Sequence, residues 1–120
     1  MNKTVMIVDD QLGIRLLLEE IVKSDGHEVV SLENAKEALD TLQTTNPDLL
    51  IVDFKLPIMD GHALIAKLEE QGKYIPTILM SGLADEAAKK VEGSKIVKEV
   101  FAKPFNIEDA RRTINRLLQE

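Results

Sequence analysis

The sequence predicts an α/β fold: a parallel sheet built from five repeats of strand then helix, with helices on both faces. Short apolar runs carry this expectation. Val5-Met6-Ile7-Val8, Leu49-Leu50-Ile51-Val52, Ile78-Leu79-Met80 and Val100-Phe101-Ala102 have the length and β-branched content of strands buried on both faces. Segments of helical period lie between them, and regular alternation of the two patterns marks a parallel sheet. A third observation points to a site. Each run stops at polar or charged groups, namely Asp9-Asp10, Asp53, Ser81 and Lys103-Pro104. In an open α/β sheet these groups meet at the carboxyl edge, where such folds bind ligands.

The helices follow in order. Ile14, Leu17, Leu18, Ile21 and Val22 form a stripe at helical spacing that ends near Ser24-Asp25-Gly26, where glycine can take a left-handed cap. Asn34 with Glu37 makes a capping-box-like start for a second helix, which buries Ala35, Ala38, Leu39 and Leu42 before Asn46-Pro47 stops it. A third follows the turn at Asp60-Gly61 and buries Leu64, Ile65 and Leu68. The fourth has a stripe of only Ala84, Ala87, Ala88 and Val91, interrupted by Gly93-Ser94, and is expected to be the least firmly held because small side chains bury little area. The last begins at Asn106 and turns Ile107, Ala110, Ile114, Leu117 and Leu118 inward. His27 and His62 fall in turn or helix-start contexts and are expected to be exposed; the methionines read as core filler.

At 120 residues the chain fits one domain over 1–120, with no length left for an output domain. A net charge of -6 argues against nucleic-acid binding, which needs clustered Lys and Arg. Absence of cysteine excludes disulfides and thiolate metal sites. No apolar stretch approaches the roughly 20 residues of a membrane span and no signal peptide is visible, so no membrane role and a cytoplasmic location are expected.

The predicted edge gathers three carboxylates, a hydroxyl and an ammonium. Crowded carboxylates repel, and a hard divalent cation with oxygen ligands, such as Mg2+, relieves the repulsion. The lysine and serine suit an anion. A carboxylate can attack phosphorus to give an acyl phosphate when cations screen the incoming charge. Asp53, alone after its strand, is the candidate nucleophile, and the paired Asp9 and Asp10 are better placed as metal ligands. Each fragment by itself has a plainer reading: Asp-Asp and Lys-Pro as solvated turns, Asp53 as a helix cap. Their conjunction in chain order outweighs those readings.

Through Ile7-Val8-Asp9-Asp10-Gln11, Asp48-Leu49-Leu50-Ile51-Val52-Asp53, Pro57-Ile58-Met59-Asp60-Gly61, Met80-Ser81-Gly82 and Phe101-Ala102-Lys103-Pro104-Phe105, the chain resembles the receiver domains of bacterial two-component response regulators. Its Val8-to-Arg15 and Asp53-to-Pro57 segments are most similar to stand-alone receivers of sporulation phosphorelays. The resemblance implies a flavodoxin-like (βα)5 sheet of order 2-1-3-4-5. It implies phosphorylation of Asp53, with Ser81 and Lys103 binding the phosphoryl group and a cis bond before Pro104. It further implies Mg2+, with Mn2+ as a substitute, on Asp10, Asp53, the Lys55 backbone carbonyl and Asp9, directly or through water. The implied partners are a sensor histidine kinase, a histidine phosphotransferase and an aspartyl-phosphate phosphatase. They would meet a monomer at Gln11, Gly13, Ile14, Leu17, Leu18, Pro104 and Phe105.

The implied function is that of a phosphoacceptor that assists its own phosphorylation and dephosphorylation, not an enzyme acting on a separate substrate, in a relay initiating sporulation. The alternative is a chemotaxis-type regulator that binds a target when phosphorylated. A hydrolase using aspartyl phosphate would need a second carboxylate two residues after the nucleophile, where this chain has Lys55. Two departures stand out. Val100 occupies the position of the aromatic or histidine that many receivers couple to the moving hydroxyl, while Phe101 should face the opposite side. Ile96-Val97-Lys98-Glu99 replaces the usual Gly-Ala before the fifth strand, so the path into that strand is expected to be irregular.

Overall fold

The computed structural model describes residues 3–119. Strands β1 (Thr4–Val8), β2 (Glu28–Leu32), β3 (Leu49–Asp53), β4 (Thr77–Ser81) and β5 (Val97–Ala102) alternate with helices α1 (Leu12–Ser24), α2 (Ala35–Thr41), α3 (Gly61–Glu70), α4 (Ala84–Lys90) and α5 (Ile107–Gln119). All strand pairs are parallel and their order is β2-β1-β3-β4-β5, as expected.

Alternation along the strands divides the core in two. Met6, Val8, Leu50, Val52 and Leu79 pack with residues of α2, α3 and α4 on one face. Val5, Ile7, Leu49, Ile51, Ile78 and Met80 pack with α1 and α5 on the other. The central strands β1, β3 and β4 are therefore apolar at nearly every position, because neither face meets water.

Most local signals act as expected. Gly26 takes a φ of 85° just past α1. Asn34 accepts a hydrogen bond from the Glu37 amide at 2.9 Å, although the Glu37 carboxylate reaches back to the Glu33 amide rather than that of Asn34. Asp60 caps α3 by accepting from the Ala63 amide at 2.8 Å, and Asn106 accepts from the Asp109 amide at 3.0 Å.

The irregular entry to β5 is a register shift. Thr77 pairs with Val97, the next residue Ile78 pairs with Glu99, and Lys98 is the extra residue. Some expectations need correction. Ile107 is 45 % exposed, because the first helical residue precedes the turn of α5 that meets the sheet. In α4 only Ala87 is buried, with Val91 just beyond it; Ala88 faces solvent because a seven-residue helix presents little more than one turn to the core. His27 and His62 are partly buried, and His27 accepts from the Lys3 amide at 3.4 Å and contacts Asn115 Oδ1 at 3.3 Å.

Candidate phosphoacceptor site

Strand register brings the polar ends together. Val8 lies beside Val52, Asp53 beside Met80, and Ser81 beside Ala102, so Asp9, Asp53, Ser81 and Lys103 share one edge. Asp53 and Lys103 there border an open cleft of ≈ 480 Å³, lined also by Asp10, Gln11, Lys55, Leu56, Pro57 and Gly82.

Asp9 is fully buried and held at several points. Its Oδ1 accepts from the Gln11 amide at 2.8 Å, its Oδ2 from Lys103 Nζ at 2.9 Å, and its backbone carbonyl from Arg15 Nη1 at 2.6 Å. Lys103 Nζ also lies 3.2 Å from Asp53 Oδ1. Asp10 is exposed. One carboxylate oxygen from each of Asp9, Asp10 and Asp53 can be chosen so that all lie within 4.8 Å of one another.

The charges are unbalanced. Burial raises the Asp53 carboxyl above its usual value, and repulsion from Asp9 and then Asp10 adds to this, while Lys103 opposes it. Burial alone would lower the Lys103 ammonium. The hydrogen bond to Asp9 and the fields of Asp53 and Asp9 outweigh burial and raise it. One ammonium facing three carboxylates leaves an all-oxygen cluster with surplus negative charge, which fits a hard divalent cation.

Other parts shape the approach. The Ser81 hydroxyl oxygen accepts from the Leu83 amide at 2.9 Å, so it sits on the β4–α4 loop and its O–H remains available as a donor. It does not line the cleft; its neighbour Gly82 does. The Lys103–Pro104 bond is cis. Val100 packs in the α2–α3–α4 half of the core and Phe101 in the other, so the two do face opposite ways.

Several contributors escaped the sequence reading. A Cβ on Gly61 would sit 2.5 Å from the Asp53 carbonyl oxygen, so this glycine lets the start of α3 close against the backbone of the proposed nucleophile. The turn at Asp60-Gly61 alone does not announce this contact. Arg15 from α1 and Gln11 from just before it reach back to the site, contacts that no local pattern announces. Of the residues expected to meet partners, Leu18 is buried and Leu17 packs partly into the core; Leu12 and Leu16, at 59 % and 54 % exposure, are the outward leucines of α1. Ile58, wholly exposed beside the cleft residue Pro57, has a φ of 68°, a left-handed conformation strained for a β-branched side chain.

Residues 5–115 match the response regulator receiver domain. The chain belongs to this family. It is 33% identical over 120 residues to the sporulation initiation phosphotransferase F of Bacillus subtilis strain 168, covering 98% of this chain and 95% of the relative. It is 32% identical to that organism's alkaline phosphatase synthesis transcriptional regulatory protein PhoP, covering 99% of this chain but only 50% of the relative. Among solved structures, the Thermotoga maritima response regulator TrrA, in complex with Mg(2+)-BeF, superposes with a TM-score of 0.83 at 28% identity, covering 96% of this chain and 98% of that one. Receivers accept a phosphoryl group, bind Mg2+ at an aspartate cluster, and interact with histidine kinases and phosphotransferases. Asp9, Asp10 and Asp53 form such a cluster here. No helix among the described residues is long and apolar enough to cross a membrane.

Proposed function

We propose that this receiver takes a phosphoryl group on Asp53 from the phosphohistidine of a sensor kinase and passes it to a histidine phosphotransferase, in a cytoplasmic relay that initiates sporulation. The observation that carries the acceptor assignment is the position of Asp53. It ends the central strand β3 in the open cleft, with one oxygen paired to Lys103 and two further carboxylates within ligand distance. A carboxylate oxygen of Asp53 attacks phosphorus as the phosphorus–nitrogen bond of the donor breaks, giving an aspartyl phosphate and a free histidine. Lys103 donates to a phosphoryl oxygen. Ser81 swings its hydroxyl from the loop to donate to another.

Asp10, Asp53 and the Lys55 carbonyl would hold Mg2+. Asp9, whose oxygens already accept from Gln11 and Lys103, would contact it through water. When bound, the ion supplies positive charge to the attacking and transferring oxygens. A solved neighbour bound to Mg(2+)-BeF supports the assignment.

Relay is favoured over target binding for two reasons. The relative matched along 95% of its length is named a phosphotransferase, and Val100 supplies no aromatic coupling from the site to the outer face. Docking is assigned to Gln11, Gly13, Ile14, Pro104 and Phe105, with Leu17 partly in the core beside it and Leu12 and Leu16 extending the surface. An aspartyl-phosphate phosphatase would use the same approach to the monomer.

The test mixes the chain with a phosphorylated sensor kinase and then a histidine phosphotransferase, following label on each protein. Label should pass in and out of the chain, and Asp53→Asn should block both steps. Ile14→Ala should slow exchange with the phosphotransferase while leaving labelling by acetyl phosphate unchanged. Equal slowing with both donors would refute the docking assignment.

A further inference from the structure

The Lys103 ammonium carries three N–H donors, and three acceptors surround it: Asp9 Oδ2 at 2.9 Å, Gln11 Oε1 at 3.0 Å and Asp53 Oδ1 at 3.2 Å. Asp9 and Gln11 hold it by hydrogen bonds and Asp53 by an ion pair. A phosphoryl oxygen approaching Lys103 must compete with these acceptors. They are not equivalent. Hydrogen bonds to ionised acceptors are about twice as strong as neutral ones, and Asp9 is also fully buried. Gln11 is neutral and exposed, so its bond is the easiest to give up.

The position of Gln11 supports a dedicated role. It occupies the N-cap of α1, yet its side chain makes no capping bond to that helix. It crosses the cleft instead to a lysine 92 residues away, while its own amide donates to Asp9 Oδ1. An amide oxygen also satisfies the ammonium without adding a fourth carboxylate to a cluster that already repels itself.

We propose that Gln11 is a positioning residue whose side-chain oxygen holds the place of a phosphoryl oxygen on Lys103 and yields it when the phosphoryl group arrives. The inference rests on Asp53 being the phosphoacceptor. It makes the resting site a set of contacts on Lys103 with one readily exchangeable member.

The test compares the whole chain with Gln11→Met, which removes the acceptor at similar length, and Gln11→Glu, which makes it charged. Without metal, 15N spectra of the Lys103 ammonium should show faster proton exchange with water in Gln11→Met and slower exchange in Gln11→Glu. With Mg2+, labelling by acetyl phosphate and binding of trifluoroberyllate, a non-covalent phosphoryl mimic, should strengthen by about two- to tenfold in Gln11→Met, the range that one neutral hydrogen bond supplies. Both should weaken about tenfold or more in Gln11→Glu. A Gln11→Met protein that matches the parent, or that is slowed as Gln11→Glu is, overturns the place-holding role; slowing would show instead that the carboxamide N–H donates to the phosphoryl group. Small donors bypass protein docking, so the partner surface does not enter the result. A parent chain that neither labels nor binds trifluoroberyllate overturns the phosphoacceptor reading as well.

Discussion

Substituting Gly61 with alanine should damage the phosphoacceptor from behind. The added Cβ would lie 2.5 Å from the Asp53 carbonyl oxygen and 3.1 Å from both the Asp53 carbonyl carbon and the Phe54 Cα. All three are backbone atoms, so no side chain can swing aside. The closest approach is about 0.9 Å short of the 3.4 Å at which ordinary contact begins, and α3 or the end of β3 must move to make it up. The Gly61 amide also donates to the Phe54 carbonyl at 2.8 Å, which ties the two segments together. Overpacking of this kind costs about 1–3 kcal/mol, and each kcal/mol lowers the Tm of a domain this size by about 3–6 °C. A misplacement approaching 1 Å can slow a reaction by about 100-fold. Thermal unfolding and acetyl phosphate labelling should therefore both suffer in Gly61→Ala. Gly13→Ala is the control, since nothing lies within 4 Å of its added Cβ; it should match or slightly exceed the parent in stability. A Gly61→Ala protein with parental Tm and labelling rate would refute the close-approach argument.

Three further outcomes are expected. Asp10→Ala should weaken Mg2+ binding by at least about tenfold in titration calorimetry, equivalent to about 1.4 kcal/mol, and unchanged affinity would place the metal elsewhere. Asp53→Asn should stabilise the metal-free fold at neutral pH. The raised Asp53 pKa means a cost to stability that begins as pH rises past the ordinary carboxylate value of 3.8 and is complete above the folded value, so the gain should shrink as pH falls and vanish below 3.8, and a gain independent of pH would exclude this cause. In segment-resolved hydrogen exchange, residues 84–91 should open more readily than α1, because they bury little beyond Ala87 and Val91. Residues 94–97 should be better protected, since Ser94 Oγ donates to Glu69 Oε2 at 2.7 Å and accepts from the Ile96 and Val97 amides. Protection of 84–91 equal to that of α1 would contradict the burial argument.

The fold was readable because its signals are local and redundant. Each central strand is an unbroken apolar run, and each helix start at Asn34, Asp60 and Asn106 carries its own capping side chain. The residues of the site were readable because strand ends converge in a parallel sheet, so chain order alone places Asp9, Asp53, Ser81 and Lys103 together. The support around them was not. The contact of Gln11 with Lys103 spans 92 residues, and the 2.5 Å approach at Gly61 depends on how α3 docks against β3. The α1 stripe was readable too, since Leu18, Ile21 and Val22 are buried and Ile14 and Leu17 pack against the same cluster. The partner surface was less so: it included Leu17 and Leu18, which the same stripe turns inward, and omitted the outward Leu12 and Leu16.

The most direct test of the account is to locate the acyl phosphate. The chain is labelled with acetyl phosphate and Mg2+, the aspartyl phosphate is reduced with borohydride to homoserine, and peptides are sequenced by mass spectrometry. The account predicts homoserine at position 53 and at no other aspartate. Homoserine at position 9 or 10, or none at 53 in a chain that has gained a phosphoryl group, would contradict it.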